Sequence, residues 1–306
     1  MKTFKQHLVE QQQLDEKLIM LNNGRKDGQI VFLAGGAGSG KGFAASNFME
    51  KEKFKVRDVD EWKKTFMALA DIIDKPEKHA KMMRAGSKIP KGEYDEIRGL
   101  DLKKPADVGK LHMFVKKLNL KNKTLDVMLD QLKDRKKLPN IMFDITAKDT
   151  KDVEQFMPRL LKAGYNPANI HLVWVLTDYE IAIKQNADRE RVVASDIMLA
   201  THQGASETVY KYVTGKGKKM AINGEIHVIL NNKENTVMFT PSSNDRTSKI
   251  SGKVNGPVVK DFTYLTLKKR GKPMTKEDKV MKQLYHWVIN NIPKSDFQKA
   301  LSDTVK

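Results

Sequence analysis

The sequence predicts an α/β fold in which helices flank a parallel sheet, and three observations support this prediction. The apolar run Ile30–Ala34 has the length of a buried strand and leads into a glycine-rich turn. The run Ile170–Leu176 is apolar on both faces, which is typical of a central parallel strand. Amphipathic helical patterns alternate with these runs, and 306 residues suffice for one large domain with an insertion.

Composition restricts the partners and the chemistry. The 56 Lys and Arg residues exceed the 38 Asp and Glu residues, and the formal charge of +18 favours polyanionic partners. Nucleic acid on a basic surface and phosphorylated substrates both fit that charge. The absence of cysteine excludes disulfides, thiol catalysis and cysteine-based zinc sites. No apolar run approaches the roughly 20 residues that span a bilayer, so we expect a cytoplasmic protein without a membrane partner. The oligomeric state stays open.

The N-terminal segment allows two interpretations. Apolar residues recur near helical spacing over residues 1–23, which predicts an amphipathic helix that forms a unit of its own over residues 1–25. Alternatively, the first ten residues, MKTFKQHLVE, resemble the head-targeting peptides of internal proteins in large tailed phages. Leu8-Val-Glu10 then matches the Leu-x-Glu cut site of their prohead proteases. This resemblance implies packaging in a phage head.

The glycine-rich turn is the sharpest motif in the chain. Gly35, Gly40 and Lys41 satisfy the pattern G-x-x-x-x-G-K between a strand and a helix. Glycines let the backbone N–H groups turn inward around an anion, the lysine reaches the outer phosphates, and the helix dipole adds to the attraction. A glycine turn without a ligand is the alternative. The predicted nucleotide contacts are Gly35, Gly36, Ala37, Gly38, Ser39, Gly40, Lys41, Gly42 and Phe43.

Acidic residues follow the next two predicted strands. Phe54–Arg57 reads as a strand that ends in Asp58-Val-Asp60, and carboxylates two residues apart point to the same side of a sheet. One carboxylate can accept a proton from a substrate hydroxyl while the other holds Mg²⁺ or its water shell. The strand 139–144 ends in Asp144, which is the Walker B arrangement for the same ion. Solvated loop acids are the alternative interpretation of the pair.

The long stretch between these strands predicts a helical insertion over residues 61–138. Helical patterns occur near residues 62–73, 110–117 and 124–132. Its place in the chain resembles that of the insertion with which many small P-loop kinases form their substrate pocket, and this resemblance implies that it covers the site of a phosphate acceptor. Arg84, Lys88 and Arg98 are candidates for binding the acceptor's anionic groups, although single basic side chains are more often solvated surface charges.

A predicted helix after the fourth strand leads to Arg189 and Arg191, and this place in the chain resembles that of the lid in P-loop kinases, which implies a lid near residues 184–203. Guanidinium groups there can clamp a transferring phosphoryl group and neutralise the charge of its transition state. A charged helical turn with Glu190 as local partner is the alternative. Lys184 and His202 are weaker candidates.

The last third of the chain predicts a hairpin and a basic extension. Residues 225–230 and 236–240 read as two strands around a polar turn, and the first strand completes the sheet. Asn231 and Asn232 in that turn are expected near the base of a nucleotide. Residues 241–306 form a predicted C-terminal extension that ends in a helix over 276–292.

These motifs together resemble known kinases over residues 28–205. GGAGSGKG resembles the loop of adenylate-kinase-type enzymes, and the Asp-x-Asp after the second strand is similar to that of shikimate-type kinases. Asp60, followed by Arg189-x-Arg191 and His202, is similar to the zeta-toxin-like P-loop kinases. The resemblance implies a P-loop kinase domain over residues 26–240, with a parallel five-stranded sheet in the order 2-3-1-4-5.

The resemblance also implies an activity. ATP or GTP is the implied donor, Asp60 the group that activates the acceptor hydroxyl, and Lys41 and the two arginines the groups that stabilise the γ-phosphoryl. Zeta toxins phosphorylate a nucleotide sugar, but the insertion carries no pattern that transfers this substrate. The acceptor class therefore spans nucleotides, sugar nucleotides and polynucleotide ends.

One departure from the kinase pattern affects the metal. Gly42 and Phe43 occupy the positions where a hydroxyl ligand of Mg²⁺ is usual. We expect the ion to be held through water, with Asp58, Asp60 and Asp144 in its outer shell. The same departure favours an alternative function, a nucleotide-binding phage interaction factor with little or no kinase turnover.

Overall fold

The computed structural model describes residues 19, 21, 28–72, 94–130, 138–215, 222–232, 236–239 and 258–290. Within these residues one seven-stranded sheet has the order β2-β3-β1-β4-β5-β7-β6. Its strands are β1 (Ile30–Ala34), β2 (Lys55–Asp58), β3 (Ile141–Asp144), β4 (Ile170–Leu176), β5 (Ile226–Leu230), β6 (Thr236–Phe239) and β7 (Val258–Lys268).

The predicted five-stranded parallel arrangement is confirmed. The strands β2, β3, β1, β4 and β5 are neighbours in that order, and all their pairings are parallel. Ile30 of β1 pairs with Ile141 on one side and with Ile170 on the other. All five residues of β1 are buried, as expected for the central strand of a sheet that is covered on both faces.

Helices cover both faces of this sheet. They are α1 (Lys41–Asn47), α2 (Val59–Ile72), α3 (Pro105–Lys117), α4 (Leu120–Asp130), α5 (Lys151–Glu154), α6 (Met157–Ala163), α7 (Tyr179–Ala187), α8 (Ser195–Val213) and α9 (Asp278–Asn290). Residues 151–163 form two short helices, α5 and α6, because Pro158 has no N–H for the Glu154 carbonyl. Gly164 ends α6 with a left-handed φ of 105°.

Alternate residues of β1 serve two separate cores. Ile30 and Phe32 face a large cluster that also contains Trp174 and side chains of α6, α8 and α9. Val31 and Leu33 face a smaller cluster built with α1. The period of two along the strand therefore anchors the glycine-rich loop from both faces of the sheet.

The insertion has a core of its own. Phe66 of α2, Tyr94 and Phe114 of α3 lie within 5.7 to 6.4 Å of one another, measured between ring centroids. These aromatic rings pack with aliphatic residues of the same segment, such as Leu111. The helices predicted for the insertion are thus present; α2 and α3 share this core, whereas Leu125 of α4 packs in the main core of the sheet.

The predicted hairpin of β5 and β6 is wrong. β7 lies between these two strands and pairs antiparallel with both. β7 has eleven residues, so one part of its length pairs with β5 and another with β6. The segment expected as a C-terminal extension thus contributes a strand to the sheet, and α9 buries Leu284 and Val288 in the main core.

Several predictions fall partly or wholly outside the described residues. Ile19 forms an isolated parallel bridge with Met49, so the predicted N-terminal helix does not include this residue. The rest of that segment except Leu21, together with Arg84, Lys88 and residues 240–257, lies outside the described chain. Among the helices that the structure describes, none has the length and apolarity needed to cross a bilayer.

Candidate functional site

The five parallel strands end at one edge of the sheet, and each contributes to a single cluster there. The residue at or just after each carboxyl end is Asp58 for β2, Asp144 for β3, Gly35 for β1, Thr177 for β4 and Asn231 for β5. Open α/β sheets bind ligands outside this edge. The cluster therefore lies where the fold places a ligand.

The glycine-rich loop between β1 and α1 forms a concave turn. Gly38 and Gly40 adopt left-handed φ angles of 74° and 82°, which favour glycine over other residues. The Ser39 N–H donates to the Gly36 carbonyl at 3.2 Å and closes the turn. Successive backbone N–H groups in such a turn, followed by a helix N-terminus, form a binding site for anions.

Lys41 lies at the mouth of this loop. Its ammonium donates to the carbonyls of Gly35 and Gly36 at 2.8 and 3.3 Å. It also lies 3.7 Å from a carboxylate oxygen of Asp144. The structure thus brings together the predicted loop lysine and the predicted acid of β3, and the lysine charge sits at the rim of the anion site.

Side chains outside the loop hold two of its carbonyl groups. The Ser39 carbonyl accepts hydrogen bonds from the Thr177 hydroxyl at 2.6 Å and from the Asn231 amide at 2.8 Å. The Ala37 carbonyl accepts one from Nε2 of His202 at 2.6 Å. The sequence suggested base contacts for Asn231, whereas here its buried amide binds the loop.

His202 packs directly against the loop. A Cβ atom on Gly36 would lie 2.4 Å from the imidazole, so this ring occupies the space of a side chain at that position. The ring also meets the edge of Tyr179 with centroids 5.6 Å apart. Burial lowers the pKa of His202, and the nearby charge of Lys41 lowers it further, against the opposing effect of the Ala37 hydrogen bond. The imidazole is therefore neutral at pH 7 with its proton on Nε2.

The acids predicted to hold a metal lie side by side. Asp58 and Asp144 are register partners at the ends of β2 and β3. Asp60 lies in the first turn of α2, but its side chain lies outside the described part of the chain. Among the described residues no cluster of three or more His, Asp and Glu side chains has the geometry of a metal site. Two carboxylates fit an ion that keeps most of its water, as Mg²⁺ does.

The two lid arginines lie on one short loop between α7 and α8. The buried Asn186 amide donates to the Val193 carbonyl at 2.9 Å, and its oxygen accepts from the Val193 N–H at 3.0 Å. These two bonds close the loop that carries Arg189 and Arg191. Arg189 is exposed and Arg191 is half-buried. Sequence reasoning missed Asn186, because an asparagine near a helix end has no pattern that reveals its partner.

The arginine loop is joined to the insertion. The Val192 N–H donates to the Leu102 carbonyl at 2.9 Å, and Lys103 donates to the Arg189 carbonyl. Glu190 pairs with Lys64 of α2 at 2.9 Å. The arginine loop and the insertion thus touch.

Arg98, the predicted acceptor ligand that the structure describes, is engaged within the insertion. Its guanidinium pairs with Asp95 at 2.9 Å and donates to the Ala70 carbonyl at 3.2 Å. These bonds support the fold of the insertion. Lys184 of α7 is exposed.

The first turn of α1 is open. A Cβ on Gly42 would meet no atom within 4 Å, and Phe43 is 40% exposed while its ring meets the edge of Phe48. Position 42, which lacks the usual hydroxyl, therefore has open space where a side chain would lie, and the aromatic ring of Phe43 follows it in the same helix turn.

No protein-family model matches this chain, and no curated protein matches it. Solved structures resemble it at low identity. One is a chain of AvrRxo1-ORF1:-ORF2 with ATP, at 10% identity and TM-score 0.44, covering 98% of this chain and 82% of that chain. Another comes from the PezAT chromosomal toxin–antitoxin system of Streptococcus pneumoniae, at 12% identity and TM-score 0.41, and the match covers 95% of this chain and 98% of that chain.

A third similar structure is deoxyadenosine kinase from M. mycoides with bound dATP, at 15% identity and TM-score 0.31. It covers 68% of this chain and 93% of that chain. The likeness is one of fold alone, and TM-scores this low carry no argument about the site. The chain itself has the predicted order of five parallel strands, with the glycine-rich loop directly after β1.

Proposed function

We propose that this chain is a P-loop phosphotransferase that moves the γ-phosphoryl group of ATP or GTP to a hydroxyl or phosphate of an acceptor. The observation that carries the proposal is the position of Lys41. Its ammonium lies at the mouth of the glycine-rich loop, 3.7 Å from the acid that ends β3. A cation and an acid at the rim of an anion-binding loop are the groups that phosphoryl transfer requires.

Each group of the site has a role in this proposal. The backbone of residues 35–43 holds the phosphates, and Lys41 neutralises charge on the γ-phosphoryl group. Asp58 and Asp144 would hold Mg²⁺ through its water shell, and the bound ion would neutralise the β- and γ-phosphate oxygens. Arg189 and Arg191 stabilise the charge that develops during transfer.

The transfer step places the proton on Asp60. An acceptor hydroxyl gives its proton to this carboxylate and forms a bond to the γ-phosphorus, while the bond between that phosphorus and the β,γ-bridging oxygen breaks. The products are the phosphorylated acceptor and the nucleoside diphosphate. The acceptor lies beneath the insertion, which the arginine loop contacts through Leu102 and Lys103.

The test combines γ-labelled ATP with a metabolite and oligonucleotide extract. We expect a labelled product with the wild type, none with Lys41→Ala, and none with Asp60→Asn, although Asp60→Asn still binds ATP. Lys162→Ala is the matched control, because Lys162 is an exposed lysine of α6 on a different element. Full transfer by Asp60→Asn would remove the proposed base.

A second function is supported by Gly42 and Phe43. Without a hydroxyl at either position, the chain could bind nucleotide and act through interaction with another molecule, with little turnover. The same assay separates the two. Tight ATP binding without a labelled product in any extract fraction supports the second function, and nucleic acid bound through the basic surface is then a further partner to test.

A further inference from the structure

We propose that His202 and Thr201 of α8 are positioning residues that orient the glycine-rich loop for phosphate binding. This inference rests on the proposed function, since it assigns the groups that shape that same site. His202 and Thr201 are neither the lysine of the glycine-rich motif nor the acids at the strand ends. The inference starts from the single loop residue Ala37.

Ala37 is held at both of its backbone groups by neighbouring side chains of one helix. Its carbonyl accepts from Nε2 of His202 at 2.6 Å, and its N–H donates to the Thr201 hydroxyl at 3.3 Å. The Thr201 hydroxyl in turn donates to the Met198 carbonyl at 2.9 Å. Because that hydroxyl proton is already committed, its oxygen is oriented to accept from the loop.

The carbonyl contact fixes the direction of the next peptide N–H. In a planar trans peptide the C=O and the following N–H point in opposite directions. The Ala37 carbonyl points out of the loop towards His202, so the N–H of Gly38 points to the opposite, concave side. The Ser39 carbonyl, held by Thr177 and Asn231, orients the N–H of Gly40 in the same way.

This arrangement prepares the loop for an anion before the anion arrives. A glycine-rich segment has unusually many backbone conformations, and turning each N–H inward on binding would cost conformational entropy. Hydrogen bonds from α8, a 19-residue helix, hold Ala37 in place beforehand; the Ala37 N–H itself binds Thr201, so the N–H groups directed towards an anion begin at Gly38. Loss of the His202 bond would therefore weaken phosphate binding even though His202 touches no phosphate.

The helix α8 also connects the glycine-rich loop with the arginine loop. α8 begins at Ser195, directly after the loop that carries Arg189 and Arg191. The same helix thus follows the arginines and holds the phosphate loop. His202 is also 5% exposed and packs on Tyr179 of α7, so both helices that flank the arginine loop meet at this ring.

The test measures dissociation constants for ATP and for inorganic tripolyphosphate by calorimetry. His202→Phe keeps an aromatic ring but removes the donor, and we expect both ligands to bind about tenfold more weakly. His202→Gln keeps an N–H donor at the end of its side chain, and we expect binding within about threefold of wild type. In turnover assays His202→Phe raises KM more than it lowers kcat, because its effect is on the bound phosphates.

His227→Phe is the matched control. His227 is 6% exposed and hydrogen-bonds to Thr266 and Glu225, at the other end of β5 from Asn231. This variant should keep both dissociation constants, even where its thermal stability falls. If His202→Phe does not fold, Thr201→Val carries the test, with an expected weakening of about threefold that Thr201→Ser reverses.

Two results overturn the inference in different ways. If His202→Phe and Thr201→Val bind both ligands as tightly as wild type while Lys41→Ala does not, the positioning role is wrong and the proposed function stands. If the wild type binds neither ATP nor tripolyphosphate, the proposed function and this inference both fail.

Discussion

The contact between Gly36 and His202 predicts that Gly36→Ala damages the loop. A Cβ at this position would lie 2.4 Å from Cδ2 of His202 and 2.5 Å from Nε2, where ordinary contacts begin near 3.4 Å. The ring must then retreat by about 1 Å, which takes its 2.6 Å bond to the Ala37 carbonyl beyond hydrogen-bond range. The backbone itself tolerates alanine, because the φ of Gly36 is not left-handed.

The magnitude follows from two costs and one gain. Overpacking a tight site costs about 1 to 3 kcal/mol, and a hydrogen bond lost from a buried carbonyl adds about 1 kcal/mol. Alanine recovers about 0.4 to 1 kcal/mol, because it restricts the unfolded chain more than glycine does. We expect Gly36→Ala to lower the free energy of unfolding by about 1 to 3 kcal/mol, measured by urea denaturation.

Gly42→Ala is the matched control for stability. A Cβ at Gly42 meets no atom within 4 Å, and the residue lies in α1, where alanine is favoured over glycine by about 0.5 to 1 kcal/mol. Its free energy of unfolding should stay level or rise. A double variant, Gly36→Ala with His202→Ala, should lose less than the sum of the two single variants, because the ring no longer opposes the methyl group.

Either of two outcomes would refute this reasoning. Gly36→Ala could prove as stable as Gly42→Ala, or the effects of Gly36→Ala and His202→Ala could add without coupling. In both cases the ring would not press on Gly36 as the structure places it.

Three further predictions follow from single contacts. Gly42→Thr supplies the missing hydroxyl in open space, and calorimetry should show Mg²⁺-ATP bound about three- to tenfold more tightly, with no gain in the absence of Mg²⁺. Arg57→Met removes a half-buried guanidinium, whose pKa burial lowers to about 10, from the Thr124 hydroxyl, and it should cost about 1 to 3 kcal/mol in urea denaturation. Burial lowers the pKa of His202 below 6.5, so the unfolded chain binds more protons at this residue and the free energy of unfolding falls as the pH drops below 6.5. His202→Phe should make this pH slope of stability shallower by up to about 1.4 kcal/mol per pH unit. An unchanged slope would contradict a buried neutral ring.

Local sequence patterns predicted the parallel strands that surround the glycine-rich loop. The strand at Ile170–Leu176 was predicted with its observed bounds, since an apolar run between polar turns is visible in the sequence alone. The strand order followed from the resemblance that the loop motif carries. The place of β7 in the sheet was missed, because pairing between strands that are distant in sequence depends on which edge of the sheet is open.

The candidate site likewise has residues that the sequence predicted and residues that it did not. Lys41 and Asp144 were predicted and lie together, because the motif and the strand end place them at one edge of the sheet. The groups that hold the loop were not predicted in this role. His202 is 165 residues from Ala37, and the Asn231 amide is 192 residues from Ser39, so no spacing rule connects them. The metal role of Asp58 and Asp144 and the catalytic roles of Asp60, Arg189 and Arg191 stay predictions.

The aromatic core of the insertion is separate from the two clusters that bury the strands beside the glycine-rich loop. Phe66, Tyr94 and Phe114 are buried against one another, while the strands that carry the glycine-rich loop are buried in different clusters. A substitution that reshapes the cover need not disturb the packing beneath the loop. Under the proposed function, we therefore expect that exchanging the insertion changes the acceptor while the nucleotide site is kept.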